Sequence, residues 1–249
     1  MVKKQKNLDL INIRKNLVIV TIFGIAMGFL ETVVVVYLRQ LYYPEGFMFP
    51  LKLMSLDVTI IEYIREISTL VMLCCIGAIA GTNFLEKFSY FLYCFGIWDI
   101  FYYIWLKVLI NWPSSLLTWD ILFLIPVVWV GPVLAPVICS ITMIFLAGCV
   151  LYFKGKGHSV SMTLREWLLM IVGAFIIFCT FIWDYTKLII KGGFLSNIWT
   201  IGTNEDFQQL ISQYVPTHYN WYLFIIGEIF ILCSIGLFCR RFKKSTSNN

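Results

Sequence analysis

Long apolar runs alternate with short polar connections along this chain. A helix needs about 20 mostly apolar residues to cross a hydrocarbon core of ~30 Å. Six runs reach that length: residues 17–38, 61–80, 88–110, 132–153, 164–184 and 220–239. A further run, 116–130, is apolar but short; Trp112-Pro113 and Gly131-Pro132 bracket it and Pro126 interrupts it. Proline ends or kinks a helix. This run therefore reads as a re-entrant or kinked segment, and such backbone survives at membrane depth only when buried in protein. The predicted fold is all-α, a polytopic transmembrane helical bundle of six spans plus the segment 116–130, forming one domain over residues 1–249.

Charge orients the bundle. If the N-terminus lies in the cytoplasm, six of the 19 basic residues fall on the outer side: Arg39, Lys52, Arg65, Lys107, Lys187 and Lys191. The other thirteen lie on the cytoplasmic side, as the positive-inside rule requires. Both termini are therefore expected in the cytoplasm. A seventh crossing would place a basic end on the wrong side. Lys3, Lys4, Lys6, Arg14 and Lys15 precede the first run as they would in a signal peptide. That run is too long for a signal core and has no small-residue cleavage site, so it reads as a retained span. The expected location is a cell membrane, crossed several times, with a bacterial inner membrane as the natural setting.

Composition agrees. The chain is 60% hydrophobic, 17% aromatic and 13% charged, with a mean hydropathy of +0.83, beyond the usual range of soluble domains. The net charge of +5 comes from span flanks and does not signal nucleic acid. The eight cysteines lie in apolar runs without C-x-x-C spacing and read as small buried hydrophobes. Only two histidines are present, His158 and His218, which argues against histidine-based metal chemistry. No cofactor and no metal site are predicted, although oxygen ligands would suit a divalent cation.

Against this background the acids stand out. Glu31, Glu62, Glu66, Asp99, Asp120, Asp184 and Glu228 lie inside or at the edge of apolar runs. A carboxylate at the centre of a span costs roughly 2.5–3.5 kcal/mol on insertion scales. At 1.5 Å per residue, Glu31 lies about 21 Å from the cytoplasmic end of its span and Asp99 about 16 Å. Glu228 sits about 12 Å below the outer face. All seven fall near the midplane or in the outer half, so one outward-facing polar cavity accounts for them. Glu62, Arg65 and Glu66 are spaced i, i+3 and i+4 and share a helix face. They also suit a self-neutralising cluster at a helix start.

Three acids directly follow tryptophan: Trp98-Asp99, Trp119-Asp120 and Trp183-Asp184. Tyr102 and Tyr103 follow one turn beyond Asp99. Indole and phenol groups can donate to a carboxylate, and their faces can stabilise a cation. The same rings also pack and anchor at interfaces. Gly24-x-x-x-Gly28 permits close helix contact beneath Glu31.

The function expected from this pattern is binding or transformation of a lipid-soluble molecule, prenyl or polyene in character. Asp99, Glu31 and Glu228 would do the acid–base work. Glu62, Arg65, Glu66, Trp98, Tyr102, Tyr103, Trp119, Asp120, Trp183 and Asp184 would line the substrate site. A proton- or cation-coupled transporter is the alternative, and a membrane subunit pairing with a partner through its acids is a third. The expected partners are membrane lipid and a lipid-soluble small molecule, with a homodimer compatible with six spans.

Overall fold

The computed structural model describes residues 2–52, 54–194 and 205–247. Among them, seven helices and one hairpin follow in order: α1 (Val2–Tyr42), α2 (Leu56–Ala80), α3 (Phe84–Ile110), β1 (Trp119–Phe123), β2 (Trp129–Pro132), α4 (Leu134–Gly155), α5 (Leu164–Lys191), α6 (Glu205–Ile211) and α7 (Trp221–Ser247). Six of the helices are long and apolar enough to cross a membrane: Leu10–Tyr42, Leu56–Ala80, Phe84–Ile110, Leu134–Gly155, Leu164–Lys191 and Trp221–Lys244. The chain is a multi-pass membrane protein. Its helices turn large apolar side chains outward, Ile79 being 81% and Ile22 63% exposed, as lipid contact requires and water would penalise.

Local chemistry sets the helix ends. Ser55 caps α2 by accepting from the Val58 N–H at 3.5 Å. Asn83 caps α3 by accepting from the Glu86 N–H at 3.1 Å. Thr163 and Glu166 exchange bonds in a capping box at the start of α5. Each satisfies a backbone donor that the first helical turn leaves open. Asn111 ends α3 with a left-handed φ of 53°, a conformation asparagine tolerates better than most residues.

α3 is the hub, packed on α1, α2 and α4, while α5 pairs with α7 and α7 also reaches α4. Close backbone approach makes these contacts. A Cβ at Gly28 would stand 2.9 Å from the Trp98 carbonyl, so α1 rides directly on α3 there. The expected glycine seam is real, and it brings Glu31 beside the Trp98–Tyr103 stretch.

The segment 116–130 corrects the all-α reading. It neither crosses nor forms a helix. β1 pairs antiparallel with β2, matching Trp119 to Pro132, Asp120 to Gly131, Ile121 to Val130 and Phe123 to Trp129, with an irregularity between Ile121 and Phe123. The residues that disfavour a helix here, Pro126 and Pro132, sit among the Trp, Ile, Phe and Val that favour strands. Pairing the two strands satisfies backbone groups that an apolar setting would otherwise leave open.

The bundle has two unlike ends. At the end bearing the termini, Lys154 Nζ meets Glu86 Oε1 at 2.6 Å, joining α4 to α3. Arg241 meets Glu166 at 2.8 Å, joining α7 to α5. Asn16 donates to the Ala80 carbonyl at 2.9 Å. The opposite end carries the α1–α2 connection, the hairpin and α6, and it is hollow.

Candidate functional site

The hollow is a cavity of about 790 Å³, within the size range of small-molecule sites. α1 contributes Glu31, Val35 and Arg39, α2 Glu62, Arg65, Glu66 and Thr69, α3 Trp98, Asp99, Tyr102 and Tyr103, and the hairpin Asp120. The i, i+3 and i+4 spacing expected to align Glu62, Arg65 and Glu66 does so. Tyr185 of α5 and Phe207 and Gln208 of α6 close the far side.

Charge in the cavity is paired unevenly. Arg65 bonds the Glu62 carboxylate through Nε at 2.9 Å and through Nη2 at 2.8 Å. Its Nη1 bonds the Glu31 carboxylate across the α1–α2 gap. Thr69 also donates to Glu31, at 3.4 Å. Arg39 meets Asp120 at 3.0 Å, with both residues buried. The guanidinium lies over Trp112 at 3.8 Å and Phe47 at 4.5 Å, which offsets part of its desolvation. Burial dominates at Asp120 and lifts its carboxyl to about 6, while Arg39 pulls the other way.

Two acids make no direct ion pair, although Arg65 stands near enough to Glu66 to act on its charge. Both Glu66 oxygens accept from the Leu124 N–H, at 3.0 and 2.9 Å, which ties α2 to the hairpin. Asp99 accepts from the Ser140 hydroxyl of α4 at 2.7 Å. Five carboxyl groups thus share the lining with Arg39, Arg65 and Lys52. Lys52 stands at the rim, 5.6 Å from the centre of the Tyr43 ring. Among the described residues, no group of three Asp, Glu, His or Cys side chains converges as a metal's ligands would.

Four residues expected at the site lie elsewhere. Glu228 is buried between α7 and α4, where Thr142 donates to it at 2.9 Å; its position along α7 matches the cavity's depth, but its helix faces α4 and α5. Trp119 turns away from its neighbour Asp120, as alternate strand residues must, and packs on Tyr219 at 6.1 Å. Trp183 is 46% exposed on the outer surface of α5, with Lys187 over its ring at 5.0 Å. Asp184 lies in a separate depression of about 320 Å³ beside Lys187, Lys191 and Tyr214.

Other site residues were not foreseen from the chain. Arg39 reads as a flanking charge, yet Glu31, Val35 and Arg39 are spaced i, i+4 and i+8, and that stripe was the available signal. Thr69 continues the Glu62, Arg65 and Glu66 face by one turn. Ser140 and the Leu124 N–H carry no sequence signal.

Compared with protein-family models, curated proteins and solved structures, the chain matches none.

Proposed function

We propose that the cavity binds a small lipid-soluble molecule and acts on it by carboxylate acid–base chemistry. The supporting observation is that three helices and the hairpin bring Glu31, Glu66, Asp99 and Asp120 to one cavity walled by Trp98, Tyr102 and Tyr103. Asp99 is the proposed proton donor, since no cation holds it in the charged form. Glu31, with Arg65 and Thr69, is the proposed partner carboxylate. The cavity faces outward in this reading, with both termini in the cytoplasm.

Two measurements test the reading. Native mass spectrometry of protein in mild detergent is expected to show a small bound mass on the wild type, lost from Asp99→Asn. An empty wild type, or an adduct equally retained by the variant, removes the proposal. For orientation, a cysteine placed at Glu45 in a cysteine-free background is expected to react with an impermeant maleimide in intact cells, while one at Lys156 reacts only after lysis. The reverse pattern would invert the topology.

A proton-coupled transporter is the second reading. It is favoured by the clamped opposite end, where Glu86–Lys154 and Glu166–Arg241 hold the bundle together. A cavity open to one face and clamped at the other is the form of one state of alternating access.

A further inference from the structure

We propose that the ligand of this cavity is an amphiphile whose polar end carries an ammonium group beside an oxygen acceptor. The inference rests on the cavity being a binding site for a lipid-soluble molecule, and it names the chemistry of that molecule's head.

Residues with unsatisfied groups of both kinds line the same cavity. Trp98 Nε1 and Arg39 Nη1 are buried donors without a hydrogen-bond partner, in residues only 6% and 8% exposed. Buried donors are rarely left open, because each forfeits its bond to water without a replacement. Both call for an oxygen. Glu66 and Asp99 are the converse case: Glu66 accepts from the backbone N–H groups of Leu124 and Ile125 and feels Arg65 only through space, Asp99 accepts from the Ser140 hydroxyl, and neither makes an ion pair. Asp99, with no cation beside it, calls for a positively charged donor, and Glu66 has no direct ion pair that would compete for one.

A simple anion would satisfy the two donors but meet five carboxyl groups against three cations. An isolated metal ion would need converging ligands, and among the described residues no such group forms. A head with both an ammonium and an oxygen satisfies both sets at once. The aromatic faces of Trp98 and Tyr102 add cation–π attraction. Val35, Leu38, Ile60 and Val128 continue the lining with apolar surface for a hydrocarbon chain. The head can come from a membrane aminophospholipid or from a free long-chain amino alcohol; the chemistry at the site is shared.

The test measures binding of three single-chain probes to the full chain in detergent by native mass spectrometry. They are lysophosphatidylethanolamine, lysophosphatidylglycerol and sphingosine. Lysophosphatidylethanolamine is expected to bind at least tenfold more tightly than lysophosphatidylglycerol, which has the phosphate but no amine. Sphingosine binding as well supports the shared chemistry; its failure to bind assigns the head to a phospholipid. Glu66→Gln keeps a carbonyl for the Leu124 N–H and is expected to remove the preference for the amine. Trp98→Phe keeps the ring and is expected to weaken all oxygen-bearing probes alike. Equal binding of the two lysophospholipids, or an unchanged preference in Glu66→Gln, overturns the amine assignment. If an endogenous adduct is lost from Asp99→Asn but fails to react with an amine-acetylating reagent, only the head chemistry is wrong. If neither adduct nor probe binds, the binding reading fails with it.

Discussion

Arg39→Met is expected to destabilise the protein sharply at pH 7.5 and much less near pH 5. Arg39 and Asp120 are 8% and 1% exposed and pair at 3.0 Å. Removing one partner of a buried pair typically costs about 3–5 kcal/mol, because the other charge is left uncompensated. The pH dependence follows from Asp120. Its folded carboxyl titrates at about 6, above the ordinary 3.8, because burial outweighs the guanidinium. A carboxyl raised in this way favours the fold fully below its unfolded value and loses that contribution as pH rises through about 6. Methionine removes the cation that lowers the carboxyl, so the titration moves further up and the loss at pH 7.5 grows. Near pH 5 Asp120 is neutral and needs no cation. Thermal unfolding in detergent at the two pH values measures the difference. Adding Asp120→Asn to the variant is expected to restore most of the stability at pH 7.5. A wild-type melting temperature for Arg39→Met, or an equal loss at both pH values, would show that the pair does not hold the hairpin to α1.

Gly173→Val and Gly227→Val are expected to separate α5 from α7. A Cβ at Gly173 would stand 2.6 Å from the Gly227 carbonyl oxygen. One at Gly227 would stand 2.8 Å from the Gly173 carbonyl oxygen and 2.6 Å from Ile177 Cγ1. Backbone stands in the way on both sides, first met at Gly173 and just behind Ile177 Cγ1 at Gly227, and backbone cannot swing aside as a flexible side chain can. Overpacking a tight contact costs about 1–3 kcal/mol and occasionally more; a β-branched residue against backbone belongs at the upper end. The contrast is Gly148→Ala and Gly236→Ala, where a Cβ meets nothing within 4 Å. Alanine is the better helix former by about 1 kcal/mol, so these two are expected to leave stability unchanged or raise it. Unfolding of the four variants in one detergent tests the claim. If all four behave alike, helix propensity rather than the α5–α7 crossing governs these positions.

The spans were legible because hydropathy is a local property, and a run of the right length and composition has few alternatives in a bilayer. Boundaries shifted by several residues, because a helix can run on past the point where its sequence stops being apolar: α5 continues to Lys191 rather than stopping at Asp184. The cavity was legible in part for the same reason. The acids on α1, α2 and α3 fall toward the same end of their spans, and helical spacing put Glu62, Arg65 and Glu66 on one face. Depth is not direction, however. Glu228 lies at a comparable depth yet faces Thr142, because rotation of α7 about its axis is set by the Gly173–Gly227 crossing. Asp184 follows a tryptophan as Asp99 does, but its helix turns it to a separate surface depression. A dipeptide cannot tell these cases apart.

By itself the sequence determined a membrane chain of six long apolar helices, the acids buried along them and the helix faces those acids share. Each follows from length, hydropathy and 3.6-residue periodicity, which act within one segment. The tertiary structure alone decided which faces meet. It joined Arg65 to Glu31 across 34 residues, Arg39 to Asp120 across 81 and Glu66 to the Leu124 N–H across 58. It also made a β-hairpin of the short proline-bearing run. Those outcomes depend on how closely glycines let backbones approach and on where unpaired polar groups find partners, conditions that exist only once the helices are packed.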